Sequence, residues 1–591
     1  MPATLLPLAV AAPLLLAAAL APLSPIAPRR LADACATLCA LFVALLCGAL
    51  AVETLHVPVH YWFGGWTPSH GVALGIEFAV DPIGAGLAAF VALLVALAFA
   101  FSWWYFDSAG THFHVLMLIF LAAMAGFALT GDLFNLFVFF ELMSVAAFAL
   151  TGYKIEEEES IEGAINFAIT NSLGAFLVLI GIGLLYGRTG ALNLAQIGAG
   201  VAHARPDGLL VAAFVLLLTG FFVKGAVVPF HFWLDDAHAV APTPLCVLFS
   251  GVMVQLALYA VARIFWEIFA APFSSHEAPI RLLLVVMGTI TALTGGIMAF
   301  NQHHIKRMLA FSTISHSGLF ICAIATFSAL GIAAGAVFVA AHGLLKAALF
   351  MGSGVLLQRT GSVDAVKLHG RCTHLTPLAL LFVIGGFALA GLPPFGIAAG
   401  KTMLETAVRD AGLAWLAIVF AVASALDGAA VLRVAGSVFF GLGHMSDDRR
   451  SSTAGNEKKE TSESRNDTLP TMILTAYAAL VLCLAAGTVP QFAGWAERAG
   501  AIFLHGARAP FVPTLALHDA LLNLAVALGA GLLALAALYL PRYKIFSAPA
   551  AALRALHSGA FPDYALWMIA GVAVYGAFLV PIAAFAARGN P

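Results

Sequence analysis

One feature of this sequence limits the fold more than any other. Apolar runs of about 20 residues, long enough to cross roughly 30 Å of hydrocarbon as helix, recur from end to end, and about sixteen can be delimited. Inside lipid every backbone N–H and C=O needs a partner within the protein, so continuous runs of this length predict helices. The alternation of a transmembrane β-barrel does not occur. The expected fold class is an all-α polytopic membrane protein of about 14–16 transmembrane helices. Composition agrees, because 62% hydrophobic and 10% charged residues over 591 positions leave more apolar surface than a soluble core could hide.

The first run, Leu5 to Ile26, lacks a positive segment before it and is followed by Arg29 and Arg30. It reads as a first span entering from outside, not as a signal peptide. Counting onward, the odd-to-even connections carry most of the cations: Arg29, Arg30, Lys306, Arg307, Lys367, Arg371, the polar stretch Asp447 to Asp467, and "PRYK". Those connections are expected to be cytoplasmic, although Arg188, Arg205 and Arg508 make the asymmetry a bias and not a clean split. Four zones follow. They are residues 1–105 with three helices and an external loop, 106–443 with helices 4 to 13, a polar loop at 444–470, and C-terminal helices 14 to 16 at 471–591, bland apart from a Pro- and Ala-rich connection at Pro541 to Pro562.

The net charge of −2 comes with no basic face interleaved with aromatics, so no nucleic-acid partner is expected. The seven cysteines form no C-x-x-C pair and no metal-ligand spacing, and read as small apolar filler. Iron–sulfur, haem and zinc sites are unsupported, and "GLPPFGIAAGK" is no phosphate loop. The chain is expected to bind no metal and no cofactor and to catalyse nothing alone. Any electrons run in other chains.

Ionisable residues inside spans are costly and read as functional. They concentrate in the central zone: Glu141 within "GDLFNLFVFFELMSVAAFALTG", then Lys224, His316, His342, Lys346, Lys401 and Asp427, with the amides Asn166, Asn171 and Gln255 among them. His342 and Lys346 are four apart and share a helix face. The run Glu156 to Glu159 just past Glu141's span reads as a solvated end. A buried carboxylate and a buried amine stabilise each other's charge, while either alone drifts toward neutrality, so a separable Glu141–Lys224 pair could act as a switch.

Two of the lysines stand beside helix breakers. Pro229 in "VKGAVVPFHFW" should open the helix just after Lys224, and Pro393 with Pro394 in "GLPPFGIAAGK" should interrupt it just before Lys401. Two broken helices with charges at the breaks, in corresponding parts of a long chain, suggest inverted repeats around ion sites near the midplane. Lysines that merely snorkel to an interface would leave Glu141 and His342 unexplained.

The segments "DLFNLFVFFELMS", "VKGAVVPFHFWLDDAHAVAPTP", "HHIKRMLAFSTISHSG", "HGLLKAALFMGSG" and "GLPPFGIAAGK" resemble the signature segments of the antiporter-like subunits of respiratory complex I. The same family includes Mrp-type cation/proton antiporter subunits and the membrane subunits of energy-converting hydrogenases and formate hydrogenlyase. The resemblance runs collinearly from about Asp81 to Gly443. It implies inverted five-helix repeats containing the two broken helices. It also implies that Glu141 and Lys224 form a proton entry pair, that His342 and Lys346 lie on a central axis with His316 nearby, and that Lys401 is the exit-side group. Asp427 is open between a counter-ion to Lys401, a source of sodium preference and a contact to a lateral subunit.

The chain departs from the family where Gln255 replaces a central lysine or histidine, and where Asp235 stands at a usual proline. Either His316, His342 and water bridge the Gln255 position, or conduction is lost. Three functions stay open: a proton-translocating subunit of a redox-driven complex of the NADH-quinone oxidoreductase or membrane-bound hydrogenase type, a subunit of an Mrp-type Na+/H+ antiporter, or a non-conducting structural member. The implied partners are other membrane subunits, peripheral iron–sulfur, hydrogenase or NADH-oxidising subunits, the lipid bilayer, and protons, with Na+ left open. The implied location is a bacterial inner membrane.

Overall fold

A computed structural model describes residues 3–23, 28–69, 72–106, 110–443, 470–505, 517–540 and 561–588. Among the described residues, twelve helices are long and apolar enough to cross a membrane, and four shorter apolar helices accompany them. The expectation of a many-span helical protein holds. The polar stretch Asp447 to Asp467 and most of the connection Pro541 to Pro562 lie outside the described residues.

In chain order the helices begin with α1 (Leu8–Leu23), α2 (Arg29–Thr54), α3 (Pro82–Ser102), α4 (Thr111–Leu129), α5 (Leu133–Thr151) and α6 (Glu158–Thr189). Then come α7 (Leu194–Val201), α8 (Gly208–Lys224), α9 (Phe232–Val240), α10 (Thr243–Leu248) and α11 (Val254–Ile264). A π-helical turn, Phe249–Met253, joins α10 to α11 in one span, Thr243–Phe269. The second half holds α12 (Glu277–Asn301), α13 (Ile305–Ala325), α14 (Ala329–Thr360), α15 (Thr376–Leu389), α16 (Gly396–Asp410) and α17 (Leu416–Phe440). It closes with α18 (Pro470–Thr488), α19 (Pro490–Phe503), α20 (Leu517–Tyr539) and α21 (Phe561–Arg588).

Helix starts follow the sequence chemistry. The side chains of Asp81, Asp132, Asp207 and Ser328 accept from the free amides that open α3, α5, α8 and α14. The two breaks fall where proline demands. α8 stops at Lys224 and α9 starts at Phe232, while α15 stops at Leu389 and α16 starts at Gly396.

The two halves match in other details. α6 and α14 each span 32 residues and end on a left-handed glycine, Gly190 at φ 66° and Gly361 at φ 72°, where a side chain would be strained. Backbone bridges Asp132–Asn193 and His304–Asp364 tie the starts of α5 and α13 to the segments leaving α6 and α14.

The loop expected at headgroup level between α2 and α3 is a hairpin of β1 (Val59–Trp62) and β2 (Glu77–Val80), antiparallel with Trp62 opposite Glu77. Buried Glu77 accepts from Asn193 Nδ2 at 2.5 Å and meets His60 Nδ1 at 2.6 Å. Arg263, at the end of α11, pairs with Asp81 at 2.5 Å and donates to the Ala79 carbonyl at 3.1 Å. One guanidinium thus fastens the hairpin to a membrane span.

Two expectations need correction. Lys306, counted among the loop cations, is 1% exposed and donates to the Ala241 carbonyl at 3.1 Å. The C-terminal helices are not bland, because Asn523 of α20 is buried and donates to Thr402 of α16 at 3.0 Å. The Glu156–Glu159 run does sit largely in the open, with Glu157 paired to Lys154 at 3.7 Å.

Candidate functional site: three clusters of buried charge

The first cluster joins α5 to the end of α8. At the break after Lys224, made by Pro229, the Val223 carbonyl accepts both from the Ala226 amide at 3.2 Å and from Trp233 Nε1 at 2.8 Å. Thr291 Oγ1 accepts from the Val228 amide across the break at 3.2 Å. Lys224 is thereby the last residue of α8, where the helix dipole favours a cation. Its side chain is fully buried, and Nζ donates to Ser144 Oγ at 2.7 Å. Ser144 in turn donates to the Phe140 carbonyl at 2.7 Å. The rings of Phe140, Phe167 and Phe148 surround the ammonium with centroids at 5.1, 5.5 and 5.8 Å.

Glu141 does not sit where a central burial was expected. It is half-buried on the face of α5 that also shows Phe134, Val138 and Val145, which are 43%, 43% and 59% exposed. Its charge and that of Lys224 act on each other, yet the two form no direct ion pair, and Glu141 Oε1 makes no hydrogen bond. The expected pair is present at a distance, with Ser144 holding the ammonium.

The second cluster lies at the crossing of α9, α13, α14 and α17. Lys346 is fully buried, donates to the Leu309 carbonyl at 2.9 Å and lies in the field of Asp427. Asp427 Oδ2 is 3.2 Å from His316 Nδ1, which also contacts the Ser312 carbonyl at 2.6 Å. The His316 and His342 rings are 4.7 Å apart. His238 of α9 is fully buried and feels Lys346, Lys306 and Asp235. Asp235 and Asp236 face Arg307 at 3.9 and 3.1 Å. Buried polar atoms without a protein hydrogen bond accumulate here, including both ring nitrogens of His238 and His342 and His316 Nε2. Such groups are costly to bury unless water or a moving proton serves them.

A run of rings lies between the first two clusters. Phe167, one wall around Lys224, stacks on Trp233 at 4.4 Å and meets Phe249 edge-on at 5.5 Å, and Phe249 meets His238 at 5.7 Å.

The third cluster follows the second break. Lys401 is fully buried and faces Glu405, one turn on, at 3.8 Å, and Glu405 feels Asp519 at the start of α20. Gly391, at φ 95°, holds a backbone conformation in which a side chain would be strained, and a Cβ there would lie in ordinary contact, 3.5 Å, with Lys401 Cδ. Asp427 is therefore the neighbour of His316 and Lys346, and Glu405 is the counter-charge of Lys401. Gln255 donates from Nε2 to the Ser250 carbonyl at 3.1 Å and leaves Oε1 unbonded, so it offers an amide dipole and no titratable group at the centre.

Ser144, His238, Lys306 and Glu405 were missed as site residues. Ser144 and Glu405 stand three and four residues after Glu141 and Lys401, the spacing that shares a helix face. His238 lies inside the "DDAHAVAPTP" segment itself. Among the described residues no group of His, Cys, Asp and Glu has the arrangement of a metal site, and all seven cysteines are free.

Broken helices with buried lysines, arrayed across a bundle of this many spans, define a multi-pass membrane protein of antiporter-like type. Residues 130–427 match the family described as NADH:quinone oxidoreductase/Mrp antiporter, transmembrane, and the chain belongs to that family. NADH-quinone oxidoreductase subunit N of Desulforudis audaxviator is 31% identical over 66% of this chain and 77% of its own. A Na+/H+ antiporter subunit of Alkalihalophilus pseudofirmus is 28% identical over 56% of this chain and 66% of its own. Among solved structures, a chain of an archaeal membrane-bound sulfane sulfur reductase superposes with a TM-score of 0.72 at 26% identity, covering 85% of this chain and 97% of its own. A chain of the Mrp complex from a Dietzia species gives a TM-score of 0.72 at 26% identity over 85% of this chain and 98% of its own. Respiratory complex I from Thermus thermophilus, at 24% identity and a TM-score of 0.63, shares the fold.

Proposed function

We propose that the chain is a proton-translocating subunit of a multisubunit, redox-driven membrane complex, set in a bacterial inner membrane beside other membrane subunits. The observation that carries this reading is the position of Glu141. A carboxylate near the middle of a span, half-exposed among apolar side chains and in the field of a buried lysine, is costly toward lipid and reasonable toward a neighbouring subunit. In this reading a proton or charge arriving at Glu141 releases Lys224 from Ser144. The lysine's proton passes inward to the His238, Lys346, His342, His316 and Asp427 cluster, and leaves by Lys401, Glu405 and Asp519.

The matching lengths, glycine ends, bridges and breaks of the two halves support inverted five-helix repeats around this path. Resemblance to subunits named for Na+/H+ antiport supports a second reading, exchange without a redox partner. A third, a member that only docks partners, rests on Gln255.

Glu141→Gln and Lys224→Ala should each abolish proton uptake into sealed vesicles while the complex still assembles; uptake at the wild-type rate by both refutes the mechanism. Chains retained in mild detergent, identified by mass spectrometry, separate the readings. Peripheral iron–sulfur, hydrogenase or NADH-oxidising subunits support redox drive. Small antiporter subunits alone support exchange.

A further inference from the structure

The C-terminal helix α21 takes no part in the proton path above, yet it lies against the first break. Its buried residues form one stripe, Tyr564, Met568, Gly571, Tyr575 and Leu579, at spacings of three and four that share a helix face, while Leu566, Ile569 and Val574 between them are exposed. The stripe packs chiefly on α8. Tyr575, 1% exposed, meets Phe222 edge-on at 6.1 Å and Phe230 edge-on at 5.8 Å, so one ring touches the chain on both sides of the break. A Cβ on Gly571 would lie 2.3 Å from Phe230 Cζ, an approach that only glycine allows. Tyr564 stacks on Phe232, the first residue of α9, with ring centroids 5.1 Å and planes 4° apart, and its hydroxyl donates to Asp236 Oδ2 at 3.2 Å.

A broken helix lacks the hydrogen-bond ladder that stiffens an intact one, so its angle is set by whatever spans the gap. The amides of Gly225, Ala226 and Val227 still bond back to α8 carbonyls, at 2.8, 3.2 and 3.0 Å. The next amide, of Val228, bonds to Thr291 of α12 instead, and Pro229 has none. The angle between α8 and α9 sets how Lys224, which ends α8, stands to His238 on α9. α21 grips both halves at once, through Tyr575 at the end of α8 and Tyr564 at the start of α9.

We propose that α21 is a splint across the first break, and that Tyr575 and Tyr564 are positioning residues for transfer from Lys224 to His238. The splint stands on the packing alone, whereas the positioning role rests on the proton path proposed above.

Hydrogen exchange of the full-length protein in detergent, read by mass spectrometry over residues 221–231, tests the splint. Proton uptake by sealed vesicles carrying the assembled complex tests the positioning role. Tyr575→Ala removes both edge-on contacts, so the amides of Gly225, Ala226, Val227 and Val228 should exchange roughly 5- to 30-fold faster, with the second break, residues 390–395, unchanged. Uptake should fall roughly tenfold, as expected when a donor and its acceptor are misplaced. Tyr575→Phe keeps the ring and should restore both. Gly571→Leu drives α21 off Phe230 and should act in the same direction as Tyr575→Ala. Break amides that exchange at the wild-type rate in both Tyr575→Ala and Gly571→Leu overturn the splint, as does equal acceleration at the second break. Faster exchange with wild-type uptake overturns the positioning role. Wild-type uptake in Lys224→Ala refutes the proton path and the positioning role with it, while the exchange rates still decide the splint.

Discussion

Replacing Ser144 by alanine removes one oxygen atom and should disable the resting state of Lys224. That oxygen is the acceptor of the ammonium's hydrogen bond, at 2.7 Å, and the remaining near neighbours are ring faces more than 5 Å from centroid to nitrogen. A hydrogen bond to a charged donor contributes about 1.5–3 kcal/mol. Three ring faces at roughly 0.5–2 kcal/mol each remain in both proteins and do not offset the loss. The docked, charged lysine should therefore be disfavoured by a factor of roughly 10 to 150. The backbone is indifferent, because Ser144 bonds back to its own helix at Phe140 and alanine is the better helix former. The assay is proton uptake by sealed vesicles, with assembly checked by native gel. We expect at least a tenfold fall in uptake with assembly intact. Glu141→Gln in the same background should give a non-additive result, because both residues act on one charge. Ser144→Ala chains that pump at the wild-type rate would refute the assignment of Ser144 as the lysine's holder.

Trp233→Phe removes one of the hydrogen bonds to the Val223 carbonyl, which still accepts from the Ala226 amide, so thermal unfolding should show a loss of about 0.5–1.5 kcal/mol; an unchanged Tm contradicts the role given to the indole. Gly391→Ala forces a side chain into φ 95° at a cost of about 1–2 kcal/mol from the backbone, so stability should fall; an unchanged Tm would show that the turn before Lys401 tolerates a side chain. At the β1–β2 hairpin, the hydrogen bond that His60 donates to Glu77 raises the pKa of His60 above its usual value. A raised folded-state pKa stabilises below the unfolded value and is lost as pH rises through the folded one. Hairpin amides, corrected for intrinsic exchange, should then be better protected at about pH 5.5 than at about pH 8.5, and His60→Asn should abolish the difference. Equal protection in the wild type would show that the Glu77 contact contributes nothing.

Span number, both breaks and the interior charges were legible because each rests on a local property: run length, proline chemistry, or an ion in an apolar segment. Lys224 at the end of α8 and Lys401 just inside α16 are where Pro229 and Pro393–Pro394 place them. What escaped depended on rotation about helix axes and on packing between distant helices. Glu141 looks central along its run but turns to the outer face of α5, and hydropathy cannot report that angle. Lys306 sits at a connection by count but is buried because α13 begins inside the bundle, against Ala241. Asp427 could be assigned to Lys401 or elsewhere until α17 was seen against α13. Asn523 meets Thr402 from 121 positions further along the chain, a contact no local pattern encodes.

The rings linking Lys224 to His238 have an electrical consequence. Phe167 and Phe249 offer no site on which a proton can rest, so a proton passing from Lys224 to His238 needs water beside the rings, while the field of the charge passes through them. Two unit charges on the order of 10 Å apart at an effective dielectric of about 20 still interact by roughly 1.7 kcal/mol. The clusters thus behave as plates of capacitors in series: loading one changes the voltage at the next before any particle crosses. The strength of that coupling is set by the thickness of the layer between them, and here that layer is a handful of phenyl and indole groups.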